Sequence, residues 1–341
     1  MRAAEPTLVT GAAGFIGFHV AHRLLQLGRQ VVGADNLSSY YDTALKRARL
    51  DRLKPFANFQ FERIDVADRT QTAELFAAHR FASVVHLAAQ PGVRHSLVEP
   101  HAYVDANIVG FLNVLEGCRH TTCQHLIYAS SSSVYGGNNA PFHTADNVDH
   151  ALNLYGATKK ANELMAHAYA HLFALPATGL RFFTVYGPWG RPDMAVWLFT
   201  QAIFEGKPIR VFDNGTMRRD FTYIDDVTEA VVRLIDCPAA PDPDWSASAP
   251  NPATSFAPWR VYNVGNHTPV EVNELVRLIE QATGRVAQRE LRAPQPGDMV
   301  ETCADVADLE AAIGFHPATQ LAVGVGRFVE WYRGYVADLQ R

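Results

Sequence analysis

Tyr155 and Lys159 are four residues apart and form the pattern Tyr-x-x-x-Lys. On an α-helix, residues four apart lie on the same face, so the phenol and the ammonium group can meet in one site. A nearby ammonium group stabilises a phenolate, and we expect it to lower the pKa of Tyr155 toward neutrality. Such a tyrosine can remove a proton from an alcohol while hydride leaves the same carbon. The spacing predicts oxidation and reduction at an alcohol carbon.

A run of serines, Ser130–Ser133, precedes the tripeptide Val134-Tyr135-Gly136. The run follows a predicted strand at His125–Ala129, and ligands of open α/β sheets bind beyond the carboxyl ends of the strands. A hydroxyl at that place can share a short hydrogen bond with a substrate oxygen. Tyr-x-x-x-Lys alone is common by chance, but its combination with this run and with the motifs below favours a catalytic site.

A glycine-rich turn links the first predicted strand, Thr7–Thr10, to the first predicted helix, Ile16–Leu27. Gly11 permits a tight turn, Gly14 lets backbone N–H groups approach a pyrophosphate, and Gly17 allows the helix to pack closely on the strand. The amino end of the helix adds a partial positive charge. We interpret this turn as a dinucleotide-binding motif rather than as a flexible loop.

Asp35 ends the second predicted strand, Gln30–Ala34, and lies 18 residues after Gly17. A carboxylate at this place accepts hydrogen bonds from a ribose diol and repels a 2′-phosphate, which favours NAD over NADP. The alternative is a plain turn aspartate.

Two weaker motifs follow the next predicted strands, Phe59–Arg63 and Ser83–Leu87. An aspartate after the third strand can bind the adenine amino group, and small residues after the fourth let the backbone lie along a cofactor. These motifs are Asp65-Val66 and Leu87-Ala88-Ala89-Gln90.

Short apolar runs alternate with longer helical patterns, which predicts parallel βαβ units. The fold class expected is α/β, a Rossmann-type doubly wound parallel sheet with a smaller α/β substrate-binding lobe. Residues 1–185 form the predicted NAD-binding part, to which roughly 220–265 return, and residues 186–219 and 266–341 form the substrate lobe. A segment rich in Pro, Ala, Ser and Asp, 238–259, is a predicted surface insertion. Further predicted elements are the strands Ala177–Phe182, Pro208–Phe212 and Arg260–Val264, the loop Tyr186–Met194 and the helices Trp197–Glu205 and Glu271–Thr283.

Composition excludes several classes of protein. The chain has 341 residues, 48% of them hydrophobic, and a formal net charge of -5, so it has no general attraction for nucleic acid or an anionic membrane. No apolar run reaches the roughly 18 residues needed to cross a bilayer. The four cysteines form no Cys-x-x-Cys pair and the chain start lacks a signal-peptide pattern, so we expect a cytoplasmic protein. His167 and His171 have a zinc-binding spacing but lack the glutamate of His-Glu-x-x-His, and we expect no metal.

Together these motifs resemble the extended short-chain dehydrogenase/reductase family, also called the NAD-dependent epimerase/dehydratase family, over nearly the whole chain. Within it the chain is most similar to the nucleotide-sugar 4-epimerases. The segments that carry the resemblance are Asp35–Asp42, Ser130–Gly136, Tyr155–Glu163, Arg181–Ala195 and Met217–Asp226. The resemblance implies NAD as cofactor and Ser131 as the hydroxyl that acts with Tyr155 and Lys159. It also implies that the cofactor contacts Gly11, Gly14, Phe15, Ile16, Gly17, Asp35, Asn36, Asp65, Val66, Leu87, Ala88, Ala89, Gln90, Asn107, Ala129, Ser130, Tyr155 and Lys159.

The reaction that the resemblance implies is C4 epimerisation of UDP-glucuronate to UDP-galacturonate through a 4-keto sugar. Related dehydratases and decarboxylases carry an acid before Val-Tyr-Gly, where this chain has serines. Two alternatives stay open: a 4-epimerase of a neutral UDP-hexose (UDP-glucose or UDP-N-acetylglucosamine), and a non-catalytic nicotinamide-sensing protein. Such sensors usually lack the tyrosine of Tyr-x-x-x-Lys.

The resemblance also assigns expected substrate contacts. Hydroxyls that could hold the sugar carboxylate away from a decarboxylating geometry are Ser131, Ser132, Ser133 and Thr184. Arg191 and Arg219 would bind the diphosphate through bidentate guanidinium contacts. The uracil pocket would have Val211 and Phe212 as walls, and Asp298 would bind the uridine ribose. Related proteins pair through helices that would here contain Asn107–Cys118 and Tyr155–Phe173, so a homodimer is expected.

Overall fold

The computed structural model describes residues 5–121, 123–293 and 299–339. The described strands are β1 Thr7–Thr10, β2 Val31–Ala34, β3 Phe59–Glu62, β4 Ser83–His86, β5 His125–Ser131, β6 Ala177–Phe182, β7 Thr184–Tyr186, β8 Ile209–Phe212, β9 Arg218–Tyr223, β10 Trp259–Val264, β11 Pro269–Glu271 and β12 Arg289–Arg292. The α-helices are α1 Phe15–Gln26, α2 Thr43–Leu53, α3 Arg69–Ala78, α4 Pro100–Tyr103, α5 Gly110–Thr121, α6 Leu154–Phe173, α7 Ala195–Glu205, α8 Ile224–Ile235, α9 Val272–Thr283, α10 Ala307–Ile313 and α11 Leu321–Leu339.

Seven strands form the central sheet in the order β10-β6-β5-β4-β1-β2-β3, and every neighbouring pair is parallel. The strand order reverses between β1 and β4, and a crevice at such a point is where nucleotides bind in doubly wound sheets. The predicted Rossmann-type α/β fold is thus confirmed.

Helices cover both faces of this sheet, as buried parallel strands require. One core cluster joins α1 and α8 to the strands, and a second joins α3, α5 and α6 to the opposite face. The strands that carry the glycine turn and the serine run are buried along their length: all residues of β1 are buried, as are all but Ala129 of β5. The core thereby fixes the strand ends from which the site is built.

The remaining strands form two small sheets. β8 pairs in parallel with β12, while β9 lies between β7 and β11. The short strand β7 begins two residues after β6 ends and overlaps Tyr186, the first residue of the predicted loop. Sequence reasoning missed this strand because only its pairing with β9, more than thirty residues later in the chain, makes it extended.

The helical run before the serine strand contains the predicted segment Asn107–Cys118. A π-helical segment, Val104–Val109, joins α4 to α5, so that the run expected to contain Asn107–Cys118 has a widened turn. π-Helical turns occur often beside functional sites because they redirect one side chain. Here the widened turn contains Asn107, which is buried.

The predicted insertion at 238–259 forms mostly exposed turns, and its last residue, Trp259, already belongs to β10 beside β6. The division of the chain into two lobes stays a prediction. Within the described residues, no helix combines the length and the apolar character needed to cross a bilayer.

Candidate active site

Helix α6 places Tyr155 and Lys159 on one face in its first two turns. The helix starts where it does because the Asn153 side chain caps it, accepting a hydrogen bond from the Gly156 N–H at 2.8 Å. The Lys159 ammonium donates to the Ala129 carbonyl oxygen at 2.9 Å, which ties the helix to the end of β5.

The serine run follows β5 toward the same point. The Ser131 hydroxyl accepts the Ser133 N–H at 3.1 Å, and its interaction with the Tyr155 hydroxyl lowers the pKa of that phenol. Ser131, Tyr155 and Lys159 all line one cavity at the carboxyl ends of the central strands. The three predicted catalytic side chains thus lie together.

The protonation of this group differs from the expectation. Burial raises the pKa of Tyr155 above its usual value, and the Ser131 hydrogen bond and the positive charge of Arg191 oppose this effect only in part. Burial also lowers the pKa of Lys159, to about 8. The expectation of a tyrosine pKa lowered toward neutrality was wrong for this structure, because burial disfavours the charged form of both groups.

A buried ion pair lies directly behind the catalytic helix face. Both carboxylate oxygens of Glu163, one turn after Lys159, accept hydrogen bonds at 2.9 Å from the Arg181 guanidinium on β6. The Ser130 hydroxyl donates to the same carboxylate at 2.6 Å, and Arg181 donates to the Tyr135 hydroxyl at 3.0 Å. The pair therefore joins α6, β5, β6 and the turn that follows the serine run.

The glycine-rich turn has the close packing that a dinucleotide-binding motif requires. A Cβ on Gly11 would lie 2.8 Å from the Ala88 nitrogen, and one on Gly17 would lie 2.1 Å from the Gly11 oxygen. Gly11 also has a φ of +71°, which glycine adopts without strain. Any side chain at these positions would displace the backbone that faces the cavity, and the turn fits a pyrophosphate above the amino end of α1.

Asp35 is buried at the end of β2 and is held from two sides. Its carboxylate accepts the Ala13 N–H at 3.1 Å and the Leu37 N–H at 2.8 Å. The ammonium group of Lys46 on α2 lies 3.6 Å from the same carboxylate. Lys46 lines the cavity and was not predicted, since no motif marks it.

Most of the residues predicted to contact a cofactor line this one cavity. They are Gly11, Gly14, Phe15, Ile16, Gly17, Asp35, Asn36, Asp65, Val66, Leu87, Ala88, Ala89, Gln90, Ala129, Ser130, Tyr155 and Lys159. Asn107 lies behind the wall instead. Its side-chain oxygen accepts the Gln90 N–H at 2.8 Å, and its amide donates to the Thr158 hydroxyl at 3.0 Å. Asn107 therefore supports the segment that follows β4.

The residues predicted to bind substrate are more scattered. Ser131 and Arg191 line the cavity. Ser132 and Thr184 are half-buried, and Ser133 is buried. These hydroxyls lie near one another in the fold, because Ser131 pairs with Phe182 across β5 and β6 and Thr184 follows two residues later.

The other predicted substrate residues lie in the smaller sheets. Val211 is buried, and the Arg94 guanidinium lies over the Phe212 ring at 4.6 Å. Arg219 donates to the backbone oxygens of Arg218 and Val300. Their roles in substrate binding stay predictions, and Asp298 lies outside the described residues.

An unpredicted group of side chains surrounds Arg191. Its guanidinium forms two hydrogen bonds to Asp193, at 3.0 and 2.6 Å, and the Tyr40 hydroxyl donates to the same carboxylate at 3.0 Å. Other cavity-lining residues that sequence reasoning missed are Ser38, Tyr41, Pro91, Phe182, Phe183, Val185 and Met194. In the sequence, only the carboxylate of Asp193, two residues after Arg191, could have indicated that these side chains contact one another.

His167 and His171 do not form a metal site with a third ligand. His167 is hydrogen-bonded to Ser255 at 2.8 Å, and both rings contact Phe256. No group of three potential metal ligands is found in the parts of the chain that the structure describes.

Comparison with known proteins gives consistent results. The sequence model of the NAD dependent epimerase/dehydratase family matches residues 7–247. Protein CapI of Staphylococcus aureus is 51% identical over 331 residues, covering 96% of this chain and 98% of that protein. A probable UDP-glucuronate 4-epimerase of Rhizobium meliloti (strain 1021) is 47% identical over 330 residues, covering 95% and 96%. The crystal structure of UDP-glucuronic acid 4-epimerase from Bacillus cereus in complex with UDP-glucuronic acid and NAD matches with a TM-score of 0.86 at 31% identity, covering 97% and 99%.

The lowered pKa of Lys159 implies that the free energy of unfolding depends on pH. Below pH 8 the buried ammonium destabilises the fold, and this cost disappears as the pH rises from about 8 toward the unfolded value near 10.4. Lys159→Met should therefore raise the free energy of unfolding at pH 7, by on the order of 2 kcal/mol after the loss of the bond to Ala129. The gain should shrink near pH 10.

Urea unfolding of both proteins at pH 7 and pH 10, after removal of bound dinucleotide, measures this difference. Lys160→Met is the matched control, because Lys160 is the next residue on the same helix and its half-buried ammonium is paired with Asp149 at 3.9 Å. A Lys159→Met variant that is less stable than wild type at both pH values would contradict the prediction.

Proposed function

The chain belongs to the NAD dependent epimerase/dehydratase family, and from this premise we propose that it converts UDP-glucuronate to UDP-galacturonate by NAD-dependent epimerisation at C4. The observation that carries the proposal is one cavity that contains both the glycine turn and the group formed by Ser131, Tyr155 and Lys159. A dinucleotide and an alcohol carbon can therefore meet within reach of a proton acceptor.

The residues of the chain have separate roles in the proposed reaction. Bound NAD would accept a hydride from C4 and return it to the opposite face of the sugar, so no net oxidation occurs. The glycine turn and Asp35 would hold the dinucleotide. Tyr155 removes the proton of the C4 hydroxyl and later returns one, while Ser131 holds the C4 oxygen. Lys159 supplies a positive charge behind the phenol, and its bond to Ala129 keeps that charge in place.

Arg191 has a second role beside the catalytic group. Its positive charge lowers the pKa of Tyr155 in opposition to burial, and its guanidinium keeps N–H donors for phosphate oxygens beyond the two that it gives to Asp193. We infer that it binds the substrate diphosphate. A substrate held there would have its sugar beside Ser131 and Tyr155.

A product assay tests this function. Purified protein is incubated without added cofactor with UDP-glucuronate, UDP-glucose or UDP-N-acetylglucosamine, and the sugars are identified by NMR. We expect conversion of UDP-glucuronate alone, and at least about a 100-fold loss of kcat in Tyr155→Phe because the proton acceptor is removed. Tyr262→Phe on β10 serves as the control, since Tyr262 lies outside the cavity lining. Conversion of a neutral sugar instead would keep the mechanism and overturn the substrate.

The hydroxyls near Ser131 have a proposed part in fidelity. A 4-keto glucuronate is a β-keto acid and loses carbon dioxide when its carboxylate aligns with the carbonyl π system. Neutral hydroxyls can bind a carboxylate without the proton donor strength of an acid, and Ser132 and Thr184 are half-buried near the end of β5. We infer that they hold the carboxylate out of that alignment.

Ser132→Ala and Thr184→Ala should therefore release more carbon dioxide and form more UDP-pentose per turnover than wild type. Loss of one hydrogen bond to a charged group, about 1.5–3 kcal/mol, predicts roughly a 10-fold rise in the pentose fraction. The NMR assay above measures it, with the exposed Ser248→Ala as control. An unchanged pentose fraction in both variants would contradict the proposal that Ser132 and Thr184 hold the sugar carboxylate.

Apolar side chains on α6 support a proposed homodimer. Leu164 and Leu172 are 61% and 66% exposed, and Val104 before α5 is 41% exposed. Such neighbouring apolar residues on paired helices favour burial against a second copy.

We expect light scattering to give twice the chain mass of 37.6 kDa, and Leu164→Glu to give the monomer mass. Val286→Glu, at a side chain that is 87% exposed elsewhere, should leave the dimer intact. A wild-type protein that is monomeric at micromolar concentration would disprove the pairing.

A further inference from the structure

Arg49 on α2 is a fully buried cation that the proposed chemistry does not use. Its side chain is 0% exposed, and its guanidinium donates to neutral oxygens only: the carbonyls of Ala13, Trp189 and Gly190 and the Tyr41 hydroxyl. Its Nε–H has no acceptor among the described residues. A buried charge held in this way is costly to the fold.

The acceptors of Arg49 belong to two different parts of the site. Ala13 lies in the glycine-rich turn, at 2.8 Å from one guanidinium nitrogen. The carbonyl oxygens of Trp189 and Gly190 lie 2.7 and 3.1 Å from the other guanidinium nitrogen. These two residues immediately precede Arg191. One side chain therefore joins the dinucleotide turn to the segment that carries the proposed diphosphate ligand.

The segment before Arg191 needs such a support. Trp189 has a φ of +60°, a left-handed conformation that is strained for a bulky side chain. The His19 ring nitrogen donates to the Pro188 oxygen at 2.9 Å, and the Phe18 ring contacts the Trp189 ring at 5.7 Å. This strained turn is thus held on α1, which follows the dinucleotide turn, and on α2, whose Arg49 contacts that turn.

We propose that Arg49 is a positioning residue that couples the two binding events: it holds Arg191 in place for the diphosphate only while the dinucleotide turn is ordered. The inference rests on the proposed function, since it takes UDP as the ligand of Arg191. Because coupling between two ligands is reciprocal, UDP must also strengthen the binding of NAD. A residue with a merely structural role would change stability without linking the two ligands.

The test is the exchange of bound NAD for radiolabelled NAD in the holoenzyme, with and without saturating UDP. We expect UDP to slow the exchange about 10-fold in wild type and less than about 2-fold in Arg49→Lys, which keeps the charge but reaches fewer acceptors. In the same variant the KM for UDP-glucuronate should rise about 10-fold while kcat stays within about 2-fold. Arg47→Lys, the same change at an exposed position of α2, should behave as wild type.

Tyr41→Phe is the second variant in case Arg49→Lys does not fold. It removes one acceptor of Arg49 and leaves the ring beneath the guanidinium, so UDP should slow the exchange less than in wild type. The inference is overturned if wild type binds UDP and its NAD exchange is unchanged, or if both variants keep the full slowing. Failure of wild type to bind UDP at all would overturn the proposed function together with this inference.

Discussion

The site depends on the buried ion pair between Glu163 and Arg181. Both side chains are almost completely buried, and the pair is accompanied by hydrogen bonds from Ser130 to Glu163 and from Arg181 to Tyr135. Removing one partner of such a pair leaves an uncompensated charge and costs about 3–5 kcal/mol, so the network accepts a single arrangement. Since Glu163 lies one turn beyond Lys159 and Ser130 precedes Ser131, that arrangement also fixes the catalytic side chains relative to each other.

The burial that orders this site also works against its chemistry. It raises the pKa of Tyr155 and lowers that of Lys159, so each group resists the charged state that proton transfer uses. The Ser131 hydrogen bond and the Arg191 charge act in the opposite direction on the tyrosine. Part of the electrostatic stabilisation of the Tyr155 phenolate therefore comes from Arg191, in the segment expected to bind substrate.

Local patterns predicted the elements whose chemistry is local. The glycine turn, Asp35 and Tyr-x-x-x-Lys lie where expected because a strand end, a helix start and an i, i+4 pair are each determined by a few neighbouring residues. Lys46 and Arg49 were missed because they stand on α2 without a motif, and their function follows from contacts with Asp35 and with the distant Trp189. The prediction that the pKa of Tyr155 is lowered was wrong for a similar reason. The spacing of residues indicates which charged groups approach one another, but the burial of those groups depends on the whole fold.

The serine run itself follows from these electrostatics. Burial raises the pKa of Tyr155, and the interaction with Ser131 lowers it in part. A carboxylate at one of the neighbouring serines, directly before Val-Tyr-Gly, would add a negative charge near the phenolate and raise that pKa further. Ser133 also contributes its backbone N–H to Ser131, which holds the hydroxyl without adding charge. A site that must return hydride to C4 and a proton to the C4 oxygen benefits from hydroxyls here, whereas a site that eliminates a group from the sugar needs an acid. We infer that the neutral side chains beside Tyr155 favour epimerisation over elimination within a fold that the two chemistries share.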